Sequence, residues 1–263
     1  MPSIIFNADD FGLTEGVTRG IVRAVCAGGV TSTTAMACVP GAKERLKRWA
    51  PCLPCSVGAH LQLTSGRPLT DPAAAPTIRG SDGAFPASKK DLATAGAEDI
   101  VREWDAQFRF LRAAGIEPSH IDTHHHVHKF PNVFEAFCAI ARRFGVPARA
   151  LDSDMREKLR REGIPCPDRI VLDYYGGDLS AQRLIALLEE ACAVADPPST
   201  IEVMCHPGVP CDNLSRLSKY VADRKRELET LCRPGFAGDL RRRGFTPAAY
   251  STLYGSTVRP ALN

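Results

Sequence analysis

Residues 3–12 read SIIFNADDFG, a short apolar run from Ser3 that ends on Asp9, Asp10 and Gly12. Immediately afterwards Val17, Ile21, Ala24 and Val25 recur at helical spacing until Gly28 and Gly29 stop the pattern. The stretch therefore predicts a strand, an acidic loop and a helix. The same unit returns outward from it. Thr31 to Val39 reads as a strand before a basic helix near Ala42 to Trp49, and Ser56 to Leu63 reads as a strand holding His60. Residues 97–114 draw one helical face through Ile100, Val101, Trp104, Phe108 and Leu111, and Gly115 ends it. SHIDTH (119–124) is strand-like, and Pro131 opens a helix that Gly145 closes. Further strands are expected at 148–151, 169–172 and 201–204, with a helix capped by Ser180 between the last two. Leu214 to Cys232 reads as a charged surface helix.

Strand and helix alternate along almost the whole length, which predicts an α/β fold with parallel strands. Asp9 and Asp10, His60, Asp122 with His124, and His206 each stand near or just past the C-terminal end of a separate expected strand. A βα barrel collects those ends at one rim, so the expectation is a TIM-barrel-like single domain over all 263 residues. Residues 64–97, with Pro68, Pro72, Pro76 and Pro86, form a long loop expected to cover the barrel mouth.

Composition narrows the function. Hydrophobic residues make up 44% and charged residues 24%, and the net charge is only +3, which argues against a nucleic-acid partner. No run of eighteen apolar residues predicts a membrane span, and MPSIIFNADD lacks the features of a signal peptide. The ten cysteines are too sparse for a disulfide scaffold and read as thiols, so a reducing cytoplasm is expected. Cys52 and Cys55 form a CxxC without a second pair at zinc-ribbon spacing and read as a surface turn. P-loop, GxGxxG and GxSxG motifs are missing from the sequence.

Five of the seven histidines fall between His120 and His128. As a strand, 120, 122, 124, 126 and 128 share a face; as a helix, 120, 124 and 128 do, and His124 belongs to both sets. Imidazole is the commonest metal ligand, so the cluster points to a metal site in which Asp122, His126 and His128 support the ligands or touch substrate. Two adjacent aspartates reach one site only if the strand bends, as Gly12 permits; alternatively one of them caps the following helix. Val203 and Cys205 read as core, and Glu202 as a rim acid.

NADDFG (7–12), VTSTTA (30–35), GAHLQLTSGRPLT (58–70), HIDTHHHVHKFP (120–131) and EVMCHP (202–207) together resemble the YdjC-like carbohydrate deacetylases, the family of the bacterial chitooligosaccharide deacetylase. The resemblance implies a TIM-barrel-like fold binding one divalent metal through Asp10, His60 and His124. It further implies Asp9 as general base, His206 as general acid, and an N-acetylated amino sugar as substrate; the long loop, by its length and its place directly after His60, is expected to add sugar contacts. Relatives associated with hopanoid lipids share these motifs, so a glycolipid-linked amino sugar is an alternative substrate. Magnesium is favoured by the resemblance, while a D, H, H set also suits zinc or manganese. A homodimer is left open.

The chemistry agrees. Hydrolysis of an acetamide needs a polarised carbonyl, an activated water and a proton for the departing amine. A metal, a carboxylate and a histidine supply these. A glycoside hydrolase would leave the histidines unexplained, a metal-dependent phosphoesterase would use the same ligands, and a non-catalytic metal-binding protein would need neither Asp9 nor His206.

Overall fold

The computed structural model describes residues 1–194 and 198–254. In chain order the strands and helices are β1 (Ser3–Phe11), α1 (Glu15–Cys26), β2 (Ser32–Ala35), α2 (Ala42–Trp49), β3 (Ser56–Leu61), α3 (Ala97–Ala113), β4 (Ile121–Thr123) and α4 (Pro131–Phe144). They continue with α5 (Ser153–Arg161), β5 (Arg169–Val171), α6 (Ala181–Cys192), β6 (Thr200–Cys205), α7 (Ala222–Leu231), α8 (Phe236–Arg242) and β7 (Thr246–Ala248). Every described strand pair is parallel, in the order β4-β3-β2-β1-β6-β5. β7 lies beside the first half of β1, where Ser3 to Ile5 face Thr246 to Ala248. The sheet curls as an incomplete barrel with helical crossovers, the α/β class expected.

β1 is apolar on both faces because β2 and β6 flank it and helices cover it; Ile4, Ile5 and Phe6 are fully buried. The strand expected over 148–151 shrinks to one bridge between Ala148 and Ile121, which continues the sheet beyond β4. Among the described residues no helix is long and apolar enough to cross a membrane.

Two regions depart from expectation. The long loop has a packing reason for its length: Ala75, Ile78, Phe85 and Leu92 are buried, and acids of α3 tie it down. Glu103 accepts from the backbone N–H groups of Leu69 and Thr70, and Asp99 from that of Thr77. The loop thus lies along α3, and Lys89 is its one contribution to the lining of the cavity described below. The helix expected over 214–232 is broken: a 3-10 turn at Leu214–Arg216 precedes α7. Nor is it merely a surface helix, since Arg224 and Glu227 are buried.

Candidate metal centre and active site

Neighbouring residues of a strand point to opposite faces. Asp9 and Asp10 nevertheless meet one cavity because β1 is irregular there: its register with β2 shifts between Ala8 and Phe11, and Asp10 is left-handed at φ 73°. The bend is therefore at Asp10 itself. A non-glycine residue in that region costs about 1 to 3 kcal/mol, which the surrounding contacts must offset. Thr33 Oγ1 donates to the Ala8 carbonyl at 2.6 Å, so the backbone at the bend keeps a partner. The cap of α1 is Thr14, whose hydroxyl accepts from Val17 N–H, so neither aspartate is used as the helix cap.

Asp10, His60 and His124 come together at the C-terminal rim. Asp10 Oδ1 stands 3.4 Å from His60 Nε2 and 3.2 Å from His124 Nδ1, and the two nitrogens are 3.2 Å apart. Donors about 2.0 to 2.2 Å from one ion, at angles between octahedral and tetrahedral, stand roughly 2.8 to 3.6 Å apart. The triangle has the size that one small divalent ion requires. Asp10 Oδ1 is also buried without a hydrogen-bond donor, as a carboxylate oxygen reserved for a cation would be.

Two of the three corners are braced from behind, while His124 Nε2 is buried without a partner. His60 Nδ1 pairs with Asp122 Oδ1 at 2.7 Å, which makes Nδ1–H the donor and leaves Nε2 facing the triangle. Burial alone would depress the His60 pKa, but the carboxylates of Asp122, Asp9 and Asp10 lift it to about 9. Asp10 Oδ2 accepts from Arg224 Nη2 at 2.6 Å. Against burial, Arg224 and His124 hold the Asp10 carboxyl well below its ordinary value.

Asp9 is held differently. Arg149, fully buried, donates to both of its oxygens at 2.7 Å and reaches Asp122 Oδ2 at 3.0 Å and Glu202 Oε1 at 2.7 Å. Burial would raise the Asp9 pKa, but this guanidinium overrides it and keeps the carboxylate ionised. Glu202 is accordingly no rim acid: it is buried and also accepts from the Tyr250 hydroxyl. A second group of potential ligands, Asp9, His60 and Asp122, is already occupied by Arg149 and by the His60–Asp122 hydrogen bond.

His206 follows β6, with Nε2 3.9 Å from Asp9 Oδ2 and Nδ1 buried without a partner. Burial pushes its pKa down to about 4 despite the opposing charges of Asp9 and Asp10. The segment after it is seated by glycines: a Cβ on Gly16 would lie 2.2 Å from the Val209 carbonyl oxygen, and one on Gly20 would lie 2.5 Å from Gly208 Cα. Without side chains there, α1 admits the backbone of 208–209, and Gly208 N–H then donates to the Arg224 carbonyl. His206 and Arg224 are thereby fixed together.

The histidine run follows neither period. β4 ends at Thr123, and His125 and His126 are both left-handed, at φ 60° and 53°. His125 and His126 consequently both line the cavity, and His125, the more exposed, also pairs with Thr64 Oγ1 at 3.0 Å. His128 is buried against Phe137 and bonded to Thr123, away from the cavity. His120 stacks on Tyr250 and bonds to Asn7 Oδ1, and Asp122 lies beneath the floor behind His60. The cavity, about 460 Å³, is lined by Asp9, Asp10, His60, His124 and His206 together with Arg224. Arg149, Arg224 and Glu202 are participants that a linear reading misjudged or passed over.

Fold and site define a parallel, barrel-like α/β protein with a buried Asp/His cluster that could hold a metal ion. The chain belongs to the YdjC-like protein family, whose profile matches residues 3–242. It is 38% identical over 252 residues to a carbohydrate deacetylase of Geobacillus stearothermophilus, covering 95% of this chain and 97% of that one. A chitooligosaccharide deacetylase of Salmonella schwarzengrund is 33% identical, covering 94% and 97%. Among solved structures, an Enterococcus faecalis protein named for cellobiose-phosphate cleavage superposes with a TM-score of 0.86 at 31% identity, covering 96% of this chain and 98% of that one. A family 4 carbohydrate esterase from Streptomyces lividans, 11% identical with a TM-score of 0.51 and coverage of 99% and 98%, shares the fold.

Proposed function

We propose that this chain is a metal-dependent hydrolase that removes the acetyl group from an N-acetylated amino sugar. The observation that carries the reading is the triangle of Asp10 Oδ1, His60 Nε2 and His124 Nδ1, with Asp9 and His206 lining the same cavity. The carbohydrate and chitooligosaccharide deacetylases among its relatives support the substrate class. A divalent ion, magnesium, zinc or manganese, held by these three residues would polarise the acetyl carbonyl and make water easier to ionise.

The chain's own residues manage the protons. In hydrolysis the water oxygen bonds to the acetyl carbon, the C–N bond breaks, and one proton must travel from water to the amine. Asp9 is the assigned acceptor, held ionised by Arg149. His206 is neutral at pH 7, so it can act as a donor only after receiving a proton; Asp9 Oδ2, 3.9 Å from its Nε2, is the near source. The same clamp favours a second reading. With both Asp9 oxygens bonded to Arg149, neutral His206 takes the proton from water itself and passes it on, and Asp9 stabilises the imidazolium.

Product analysis on N,N′-diacetylchitobiose with added divalent metal tests the proposal. Free acetate with the disaccharide backbone intact supports it. A shortened sugar would indicate a glycosidase, and metal binding without any product would indicate a non-catalytic role.

A further inference from the structure

The cavity lining mixes two chemistries: the charged and imidazole groups already described, and the apolar surface of Leu151, Leu172, Met204 and Tyr175. Tyr175 stands apart because it is 51% exposed, the one aromatic among the exposed large hydrophobic side chains of the described residues. An aromatic ring left in water contributes little to folding, yet this one is braced. Its ring stacks on Tyr220 at 4.2 Å and 18°. The Tyr220 hydroxyl donates to buried Glu227 of α7 and accepts from the N–H of Gly176, the residue after Tyr175. Gly176 and Gly177, at φ 78° and 68°, then turn the chain away. One tyrosine thus holds both the ring and the backbone of another. The Tyr175 ring also meets the His206 imidazole at 71°, with centroids 5.2 Å apart.

We propose that Tyr175 is a stacking platform for the pyranose ring that carries the scissile acetamido group. A pyranose with equatorial substituents presents a face of axial C–H groups, which pairs with an aromatic face through apolar burial and the ring quadrupole. A sugar seated on that ring lies next to His206, the proton donor assigned above. The braced ring loses little freedom on binding, so the contact adds to affinity with small ordering cost. This inference rests on the deacetylase reading and names the surface that orients its substrate.

The test compares metal-loaded wild type, Tyr175→Ala and Tyr175→Phe on N,N′-diacetylchitobiose, with metal content and thermal unfolding measured on each preparation. Tyr175→Ala should raise KM about 10- to 100-fold, the effect of losing one large apolar contact, and change kcat less. Tyr175→Phe should recover most of that loss, because it keeps the ring. An unchanged KM in a folded, metal-replete Tyr175→Ala protein would overturn the platform while leaving the deacetylase reading intact. Equal damage in Tyr175→Phe would assign the effect to the hydroxyl and overturn it too. A wild type that releases no acetate would remove both proposals.

Discussion

Arg224 donates a 2.6 Å hydrogen bond to Asp10 across 214 residues of sequence, and the contact decides which carboxylate oxygen faces His60 and His124. With Oδ2 engaged, only Oδ1 is free to join His60 and His124. Arg224→Met removes that restraint and leaves the carboxylate able to rotate. Metal affinity should fall about 10- to 100-fold, the usual effect of losing a group that orients a ligand. Equilibrium dialysis at fixed pH checks this; wild-type affinity would mean that Asp10 needs no anchor.

Metal binding should release a proton. His60, lifted to about 9, is protonated at pH 7 in the metal-free protein, and a metal ligand must be neutral. Its proton therefore leaves as the ion enters, and apparent affinity should rise about tenfold per pH unit from 6 to 8. Calorimetry in buffers of different ionisation enthalpy counts the proton, and a buffer-independent heat would refute the assignment.

The roles of Asp9 and His206 separate on leaving groups. Asp9→Asn should keep its metal and lose about 100- to 10,000-fold in turnover, the worth of a general base. His206→Ala should lose a comparable factor on the sugar amide but be partly spared on an activated anilide, whose amine departs with less help. Equal losses on both substrates, together with a mild Asp9→Asn phenotype, would give both proton steps to His206.

Stability of the metal-free protein should fall between pH 7 and pH 5. His206 and His126 are depressed to about 4 and about 3, chiefly by burial, and buried His120 and His128 are shifted the same way. Below the unfolded value of about 6.5 each of these four rings binds a proton in the unfolded chain but not in the folded one; Glu227, lifted to about 8 by burial, opposes them by one proton, so acid still favours unfolding across that window. His60 is shifted oppositely: its contribution is fully present below about 6.5 and is lost as pH rises through about 9. Urea midpoints at the two pH values measure the difference, and a higher midpoint at pH 5 would contradict the burial of these rings.

What the sequence displayed was polar residues interrupting apolar strands. Asp9, His60, Asp122 and His206 stand out because an apolar run stops at each, and parallel topology then gathers them. Arg149 and Arg224 were hidden for the opposite reason. A lone arginine after a proline turn, or inside the charged helix ADRKRELETL, looks solvated until its partner is known, and those partners lie 140 and 214 residues away. The turn at His125 and His126 was equally silent, since two successive left-handed histidines carry no local signature. The loop's anchors, Ile78, Phe85 and Leu92, follow no period among prolines and glycines, so its packing on α3 emerged only in three dimensions.

Asp10, His60 and His124 are proposed to form one metal site. Elemental analysis of dialysed wild type beside Asp10→Asn, His60→Gln and His124→Gln tests it most directly, with circular dichroism to confirm that each chain is folded. One divalent ion per wild-type chain is expected, and essentially none in any folded variant. Full metal retained by any of the three, or none bound by wild type in excess divalent ion, would contradict it.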